Sequence, residues 1–365
     1  MKRGKALAAI LLLFCCIFSL CIPVQAKRAD ILIKDLFSQK SGITNSEKDY
    51  PSATENMTLS DWVQSLSGKE LTCQPGKQYA YSNANYNLLG ALIEEISGVS
   101  YKDYMEQEIL RPLGLASTFV GTAGSEKLAD GSRLGYYRTY DFEMPVKEGA
   151  IPAGYFYSNI QDMCKWMQIW IGGCEIPPEY ETLITETKLA LNQTGDYFSG
   201  WEALEDGVIG HSGGTANYSS RIVFSSEKGI GVCVLTNLNV AASTDRLCND
   251  IFAIATGGEP AGFVWDVWSI FDFAFAAITM IGIILLVLTL RFMRRIRTMV
   301  ITGAVEIVVL VSILIVIPMI FQSGWRSILF IWAPWSVLGG LISLSLSILA
   351  LIVKLCICIK NETVE

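Results

Sequence analysis

The sequence predicts an α+β domain followed by an all-α membrane region of three helices. Of the 365 residues, 51% are hydrophobic and the mean hydropathy is +0.39, which is too apolar for one soluble domain. Before residue 258, helix patterns come first and strand patterns follow, an order typical of helices and an antiparallel sheet in separate layers. The stretch Gly257-Gly258-Glu259-Pro260 marks the boundary between residues 27–258 and the membrane region, residues 259–365.

Residues 1–26 resemble a secretory signal peptide. Lys2, Arg3 and Lys5 form a basic start, an apolar stretch follows, and residues 24–26 read VQA, which fits a small-residue cleavage site. An uncleaved membrane anchor is the alternative. A signal peptide would leave the domain of residues 27–258 outside the cytoplasm.

The domain of residues 27–258 is acidic, with 29 Asp and Glu against 18 Lys and Arg. Nucleic acid is therefore excluded as a partner, because phosphate binding needs clustered basic side chains. The chain has one histidine, and the spacing of the domain's five cysteines does not resemble a metal cluster. We expect no metal and no cofactor, and we expect those cysteines mainly to be buried thiols with at most one disulfide.

Hydrophobic periodicity predicts the elements of the domain in order. Residues 31–36 are apolar with helical spacing, and a helical stripe over 86–96 is stopped by Gly98. A capping box at 158–161 opens a helix that continues through Trp170.

The later part of the domain has strand patterns. Residues 218–224 and 230–235 are β-rich runs, joined by a turn sequence at 225–229 that predicts a hairpin. Residues 245–255 fit a closing helix.

Three long apolar runs follow, at about 268–290, 299–321 and 327–353. Each can cross a hydrocarbon core of roughly 30 Å at about 1.5 Å per residue. Four arginines lie between the first two runs, so the positive-inside rule places them and the C-terminus in the cytoplasm. We therefore predict a multi-pass protein of the cell membrane, in contact with lipid, whose domain is extracytoplasmic. Glu306 lies inside the second run, where its closeness to the arginines favours snorkelling over a functional role.

Several short motifs occur in one order along the domain. Residues 75–90 read PGKQYAYSNANYNLLG and contain Tyr81-Ser82-Asn83. The later motifs are ISG at 96–98, RPLGL at 111–115, PAG at 152–154, HSGG at 211–214 and VLTN at 234–237. Together they resemble the serine β-lactamase/DD-peptidase family over roughly residues 30–256. The resemblance implies a partial β-lactamase/transpeptidase-like fold.

The resemblance also implies acyl transfer through a serine ester and assigns roles to matching residues. Tyr81 would shuttle a proton, Asn83 would hydrogen-bond the catalytic lysine or the substrate amide, and His211 would contact a substrate carboxylate. The strand after His211 would align the substrate backbone and supply an oxyanion-hole N–H. The strand residues implied in substrate binding are Ser212, Gly213, Gly214 and Thr215.

The nucleophile motif of the family, Ser-x-x-Lys, is not found where it is expected. It should precede residues 33–42, which resemble the family's IRDLLxxTSG, yet only 27–32 separate these residues from the signal peptide. The one literal match, Ser225 to Lys228, falls in the predicted hairpin turn. We expect no nucleophile in this chain, with Ser82 as the alternative substitute beside Tyr81.

Three hypotheses for function follow. The first is a membrane-tethered pseudoenzyme of the cell wall that binds peptidoglycan-type or D-amino-acid peptides. The second is an active esterase, peptidase or β-lactamase-like hydrolase that uses a substitute nucleophile or one supplied by a partner chain. The third is a membrane sensor or structural protein. Since the family's first strands and nucleophile helix normally cover the sheet, we also expect a less stable domain or one completed by a partner chain.

Overall fold

A computed structural model of the chain describes residues 21–22, 30–47, 49–121 and 128–362. The helices before the membrane region are α1 (Ile33–Phe37), α2 (Leu59–Ser65), α3 (Asn83–Ser97), α4 (Tyr101–Tyr104), α5 (Ile160–Ile171), α6 (Pro178–Thr194) and α7 (Ala241–Ala255). The strands are β1 (Cys21–Ile22), β2 (Ile31–Leu32), β3 (Phe119–Val120), β4 (Ser132–Gly135), β5 (Arg138–Asp141), β6 (Phe156–Tyr157), β7 (Tyr197–Phe198), β8 (Trp201–Ala203), β9 (Ile209–Gly214), β10 (Ser219–Ser225) and β11 (Ile230–Thr236). A π-helical turn (Met105–Leu110) and 3₁₀ turns (Glu148–Ala153 and Glu205–Gly207) complete this part.

The main sheet is antiparallel, with the strand order β11-β10-β9-β8-β7. The predicted hairpin of β10 and β11 is confirmed, with Ser225 paired to Ile230 at its closed end. Side chains alternate between the two faces of a strand. Phe224 packs with Met167 of α5, whereas its neighbour Val223 packs with Cys248 of α7. The sheet therefore lies between α5 on one face and α7 on the other, and the predicted α+β class is confirmed.

The helical layer is built around α3, which packs against α1 and α2. Its core contains Leu36, Trp62, Leu88 and Leu89, all at most 6% exposed. The predicted helix end is confirmed, because Gly98 closes α3 in the left-handed conformation at φ 72°.

Two predicted helix starts were wrong, by one residue for α5 and by four for α7. Helix α5 is capped by Asn159, whose side chain accepts from the N–H of Asp162 at 2.9 Å, so Ser158 is not its cap. Helix α7 begins at Ala241 rather than at 245. The carboxylate of Asp266 accepts from the N–H of Ala242 at 3.0 Å, which stabilises the additional first turn.

The membrane region contains three helices long and apolar enough to cross a membrane. They are α8 (Val267–Arg291), α9 (Ile296–Phe321) and, after the short helix α10 (Trp325–Ser327) and a π-helical turn (Ile328–Trp332), α11 (Trp335–Glu362). The predicted start of the third run at 327 was wrong. Pro334 disfavours helical backbone at Ala333, which is extended at ψ 152°, so the long helix begins only after the proline.

Glu306 does not snorkel to the membrane surface, and that prediction was wrong. Its side chain is only 3% exposed, and its Oε1 accepts from the hydroxyl of Ser347 at 3.1 Å. This hydrogen bond joins α9 to α11, whereas Glu306 Oε2 is buried without a partner among the described residues.

The cysteines of the domain are less buried than expected. Cys248 is fully buried, whereas Cys164 is exposed and the other three are intermediate. All five thiols are free within the described ranges. Of the predicted signal at 1–26, only Cys21 and Ile22 are described, and they pair with Ile31–Leu32.

The hairpin of β4 and β5 docks the domain onto the membrane helices. Its two turn residues, Tyr136 and Tyr137, both adopt positive φ, at 53° and 61°. The carboxylate of Asp272 in α8 accepts from both of their N–H groups, at 2.8 and 2.7 Å. Arg133, 2% exposed, lies 4.3 Å from the ring centroid of Trp335 and donates to the carbonyls of Leu329 and Ala333. These contacts fix the domain on the end of the bundle opposite to the arginine cluster.

Candidate active site

The segment around Tyr81 is held from behind by buried polar side chains. The N–H of Ser82 donates to Gln39 Oε1 at 2.9 Å, and the amide of Asn85 donates to the same oxygen. Ser41 Oγ donates to Asn85 Oδ1 at 2.6 Å, and these four side chains are 0% exposed. These hydrogen bonds join the loop that carries Tyr81 to the buried residues Gln39 and Ser41 and restrict its conformation.

The structure brings Tyr81 and His211 together. Their ring centroids are 6.2 Å apart, although Tyr81 is on the loop before α3 and His211 is on β9. A third residue, Tyr197 of β7, connects them. Its ring is edge-on to Tyr81 at 5.8 Å, and its hydroxyl lies 3.2 Å from His211 Nε2. The Tyr86 hydroxyl hydrogen-bonds to the Tyr197 hydroxyl from the other side.

The electrostatics of this group favour neutral side chains. Burial lowers the pKa of His211 and raises the pKa of Tyr81. Burial also raises the pKa of Tyr197 far above its usual range. At neutral pH the histidine is therefore an uncharged donor and acceptor, and the tyrosines keep their protons. The arrangement can hydrogen-bond a ligand carbonyl or carboxylate without supplying a full charge.

Ser212, the next residue of β9, points to the opposite face. Its hydroxyl donates to the Asp245 carboxylate at 2.8 Å, and Arg221 Nη1 donates to the hydroxyl at 2.9 Å. Arg221 also forms an ion pair with Glu202 at 2.9 Å. The structure thus places the Ser212 side chain in a charged network under α7, where it can support the strand but not contact a ligand beside His211.

The rest of β9 has a free edge toward the cleft. The strand pairs with β10 from Ile209 to Gly214, but with β8 only at Ile209 and Gly210. A Cβ at Gly213 would lie 2.3 Å from the hydroxyl of Ser220, so a larger residue there would require that hydroxyl to rotate away. Backbone groups from 211 to 214 are therefore available to an extended ligand that adds to this edge.

A cleft of about 630 Å³ opens beside the end of this edge. Asn83, Gly214 and Thr215 line it, whereas Tyr81 and His211 do not. The N–H of Asn83 donates to Asn45 Oδ1 at 2.8 Å, which leaves the exposed side chain of Asn83 free to face the cleft. The candidate residues thus form two neighbouring groups, an aromatic group around His211 and a polar group around Thr215.

Neither serine discussed from the sequence has the surroundings of a nucleophile. Ser82 is 0% exposed, and its hydroxyl accepts from the N–H of Ala84 at 3.3 Å as the cap of α3. Ser225 is also 0% exposed, and Lys228 follows it in the β10–β11 turn, where its backbone N–H donates to the Ser225 hydroxyl. In the part of the chain that the structure describes, no hydrogen bond or ion pair joins a lysine to Tyr81, Asn83 or His211. The same described residues contain no cluster of three His, Cys, Asp or Glu side chains that could hold a metal ion.

Sequence reasoning missed four side chains that shape this region. Tyr197 belongs to a strand of two residues, too short to give a periodic signal. Glu202 and Asp245 gave no signal in the sequence, because they are two of the 29 acidic residues in the domain. Arg221 did carry a signal, because a charged residue within the predicted strand 218–224 is typical of a buried ion pair.

The fold and this motif order define a family. A sequence model described as Beta-lactamase matches residues 22–255, which is more than half of the chain. The chain therefore belongs to the β-lactamase family. Protein flp of Staphylococcus aureus (strain MRSA252) is 29% identical over 221 residues, covering 57% of this chain and 43% of flp. Unguisins hydrolase ungD' of Aspergillus campestris is 25% identical over 244 residues, covering 59% of this chain and 44% of that protein. The chain thus spans less than half the length of these relatives.

Solved structures support the same fold. An octameric penicillin-binding protein homologue from Pyrococcus abyssi superposes with a TM-score of 0.58 at 23% identity, covering 75% of this chain and 68% of that one. FmtA from Staphylococcus aureus superposes with a TM-score of 0.54 at 17% identity, covering 73% and 74% of the two chains. At such identities the likeness shows the architecture alone.

Proposed function

We propose that this chain is a membrane-anchored, extracytoplasmic member of the β-lactamase family that binds acyl-D-amino-acid peptides of the cell wall without forming a covalent serine adduct. The binding surface is the free edge of β9 together with Asn83 and Thr215, and the Tyr81–Tyr197–His211 group adds neutral hydrogen-bonding side chains. A family member that binds the ligand but forms no serine ester would be a pseudoenzyme.

The observation that carries this proposal is the environment of Ser82. A serine nucleophile needs an exposed hydroxyl and an adjacent base that takes its proton. The hydroxyl of Ser82 is instead buried and accepts from the backbone of α3. Removing the nucleophile from a serine hydrolase lowers turnover by roughly 10⁶-fold, whereas ligand binding survives.

The first experiment looks for a covalent adduct. The full chain in detergent is incubated with a fluorescent penicillin and analysed on a denaturing gel, beside an intact family member as a positive control. We expect no labelled band from this chain. A band that disappears in Ser82→Ala would show that this chain acylates itself and would contradict the proposal.

The second experiment measures binding. Asn83→Leu should weaken the binding of N-acetyl-D-alanyl-D-alanine by about tenfold, corresponding to one lost ligand hydrogen bond of roughly 1.4 kcal/mol. Asn192→Leu, an exposed change on α6, is the matched control and should leave the affinity unchanged. If the two variants bind the ligand equally tightly, Asn83 and the cleft are not part of the binding surface.

The proposed orientation is supported by charge. The domain docks on the end of the bundle formed by Val267, Phe321 and Trp335, and the arginine cluster lies at the other end. The positive-inside rule then places the domain outside. The exposed thiol of Cys164 gives a test. A membrane-impermeant maleimide should label this protein in intact cells, and Cys164→Ser should remove part of that label. Labelling of Cys164 only after permeabilisation would reverse the orientation.

A second candidate is an active hydrolase whose nucleophile comes from a partner chain. Among the described residues β11 pairs with β10 only, and Leu235 on this edge strand is 39% exposed. An edge strand of this kind can accept a further strand from another chain. Penicillin labelling in native membranes, but not of the purified chain, would favour this candidate.

A further inference from the structure

The cleft beside Thr215 has two walls of different chemistry. One wall belongs to the domain and carries the polar residues Asn83, Thr215 and Asn239 among apolar ones such as Trp62. The other wall belongs to the outer ends of the membrane helices and is mainly apolar, although Gln322, Ser323 and Ser327 also line it. Its apolar side chains are Trp268, Phe321, Ile328, Ile331 and Trp332. Trp268 and Phe321 stack on each other with centroids 5.2 Å apart, so these two rings form one apolar patch.

Two buried amides on the polar side have no partner. Asn87 Oδ1 is an acceptor and Asn239 Nδ2 is a donor, and neither finds a hydrogen-bond partner in the described part of the chain. Their residues are only 4% and 7% exposed, and both line the cleft. An unpaired buried polar atom is unfavourable, and such groups are usually satisfied by a ligand or an ordered water molecule. One acceptor and one donor match a ligand amide, which offers both an N–H and a carbonyl.

We propose that this cleft takes an amphiphile resident in the bilayer: an acylated molecule whose amide-bearing head lies against Asn87 and Asn239 and whose alkyl chain lies along Phe321 and Ile331. The inference rests on the proposed function, because Asn83 and Thr215 belong to the same cleft, and it narrows the ligand to a lipid-linked amide or peptide.

The charge of the cleft favours a neutral head over a polyanionic one. Glu47 and Lys147 are the charged residues of its lining, so their charges balance. Glu47 is already engaged, since its carboxylate accepts from Ser323 Oγ at 2.7 Å and from the N–H of Gly324 at 3.3 Å. Among the described lining residues there is no basic cluster for a ligand with several phosphates.

The hairpin of β4 and β5 holds the two walls of the cleft at a fixed relative position. Arg133 and Asp272 join the domain to α8 and to the segment before α11, which carry all the apolar wall residues named above except Phe321 of α9. A preformed site loses less entropy on binding than one that must be assembled. A ligand that enters from the bilayer therefore meets the head-binding and chain-binding surfaces together.

The experiment compares two probes with the same head. The full chain is placed in phosphatidylcholine nanodiscs, and the affinities of N-acetyl- and N-palmitoyl-D-alanyl-D-alanine are measured. Partitioning into the bilayer raises the apparent affinity of the palmitoyl probe for any membrane protein, so variants must separate partitioning from contact. Ile331→Ala removes apolar surface from the cleft, and Ile342→Ala removes the same atoms from an exposed part of α11 outside the cleft.

Ile331→Ala should weaken the palmitoyl probe about fivefold, because the alkyl chain loses packing contacts with three carbon atoms but leaves the cleft for lipid rather than for water, and should leave the acetyl probe unchanged. Ile342→Ala should affect neither probe. If the acetyl probe binds but both isoleucine variants hold the palmitoyl probe as tightly as the unmodified chain, the inference is overturned while the proposed function stands. If neither probe binds, both are overturned.

A second variant tests the head. Asn239→Leu should weaken both probes about tenfold. It should not lower the Tm of the ligand-free protein, because the lost donor has no partner to leave unsatisfied. A lower Tm with unchanged affinities would make Asn239 a structural residue and overturn its assignment to the ligand head.

Discussion

The two faces of strand β9 differ in how far their polar groups are satisfied. On the α5 side the His211 ring lies against Tyr81 and Tyr197, and the strand edge beside it is not paired with β8 from 211 to 214. On the α7 side Ser212 accepts from Arg221 and donates to Asp245. Because successive side chains point to opposite faces, one short strand can present an open surface and be anchored by a closed one.

This difference predicts separate phenotypes. Changes on the Ser212 face should lower stability and leave ligand binding intact in the molecules that remain folded. Changes on the His211 face should alter ligand binding or the pKa of His211, and should lower the free energy of unfolding only slightly. A change on the Ser212 face that abolishes ligand binding without lowering stability would contradict this difference.

The largest effect is expected for Arg221→Met. Arg221 is 7% exposed and lies between the carboxylate of Glu202 and the hydroxyl of Ser212. Removing one partner of a buried ion pair costs roughly 3 kcal/mol or more, because the other charge is left uncompensated. We take the lower end of that range, since Glu202 is 38% exposed. Thermal unfolding of the full chain in detergent measures the loss.

Arg138→Met is the control for that change. Arg138 lies on β5 with all four strand residues exposed, so its removal should alter stability by less than about 0.5 kcal/mol. Equal losses in the two variants would mean that the network under α7 does not stabilise the sheet.

A smaller effect is expected for Ser212→Ala. The variant removes hydrogen bonds to two charged partners, each worth roughly 1.5–3 kcal/mol when intact, and the Arg221–Asp245 attraction offsets part of the loss. We expect a net loss of about 2 kcal/mol. Ser220→Ala, on the next strand and the opposite face, is the matched control and should lie near zero. A Ser212→Ala variant that unfolds normally but loses ligand would move the side chain into the binding site.

The sequence predicted the local elements of the fold well where a local signal existed. Gly98 ended a helix because its left-handed backbone is accessible to glycine, and the β10–β11 turn followed from its short polar sequence. The start of α7 and of α11 could not be read in this way. The start of α7 depends on a hydrogen bond from Ala242 to Asp266, which is 24 residues further along the chain. The start of α11 depends on Pro334, which interrupts the apolar run and leaves Ala333 extended.

The candidate site shows the same limit. Motif order placed Tyr81, Asn83 and His211, and the structure brings the first and third within ring contact. No motif indicated that Tyr197 connects them, because its contact with Tyr86 spans 111 residues. Nor did spacing indicate that Asp272 and Arg133 join the domain to the bundle. Such pairs arise from packing, which single-sequence periodicity does not contain.

The open face gives a smaller expected effect with Tyr197→Phe. The variant removes the hydroxyl that lies between Tyr86 and His211 and leaves their polar atoms with fewer partners. We expect a loss of about 1 kcal/mol in the free energy of unfolding. Tyr79→Phe, on a ring that is 43% exposed and also edge-on to Tyr197, is the control and should change little. A Tyr197→Phe variant as stable as the unmodified chain would show that the hydroxyl bond is not formed.

The last prediction uses the fact that His211 is the chain's one histidine, so its imidazole gives a single titration curve by NMR. Burial lowers its pKa below the ordinary 6.5, and Glu202 and Asp245 oppose this shift while Arg221 adds to it. Well above pH 6.5 the imidazole is neutral in both the folded and the unfolded chain and contributes no pH dependence. As the pH falls below 6.5 the unfolded chain takes up a proton before the folded one does, so the free energy of unfolding falls until the folded-state pKa is reached.

The buried Asp245 has the opposite sign, because its raised pKa makes the folded chain bind a proton first as the pH falls toward 3.8. The difference between the unmodified chain and His211→Gln isolates the histidine, since Asp245 contributes to both. We expect stability to decrease below pH 6.5 in the unmodified chain and to be flatter in the variant. An imidazole midpoint at or above 6.5, or equal slopes in the two proteins, would mean that burial does not lower the pKa of His211 and that the Tyr81–Tyr197–His211 group does not shield the imidazole from water.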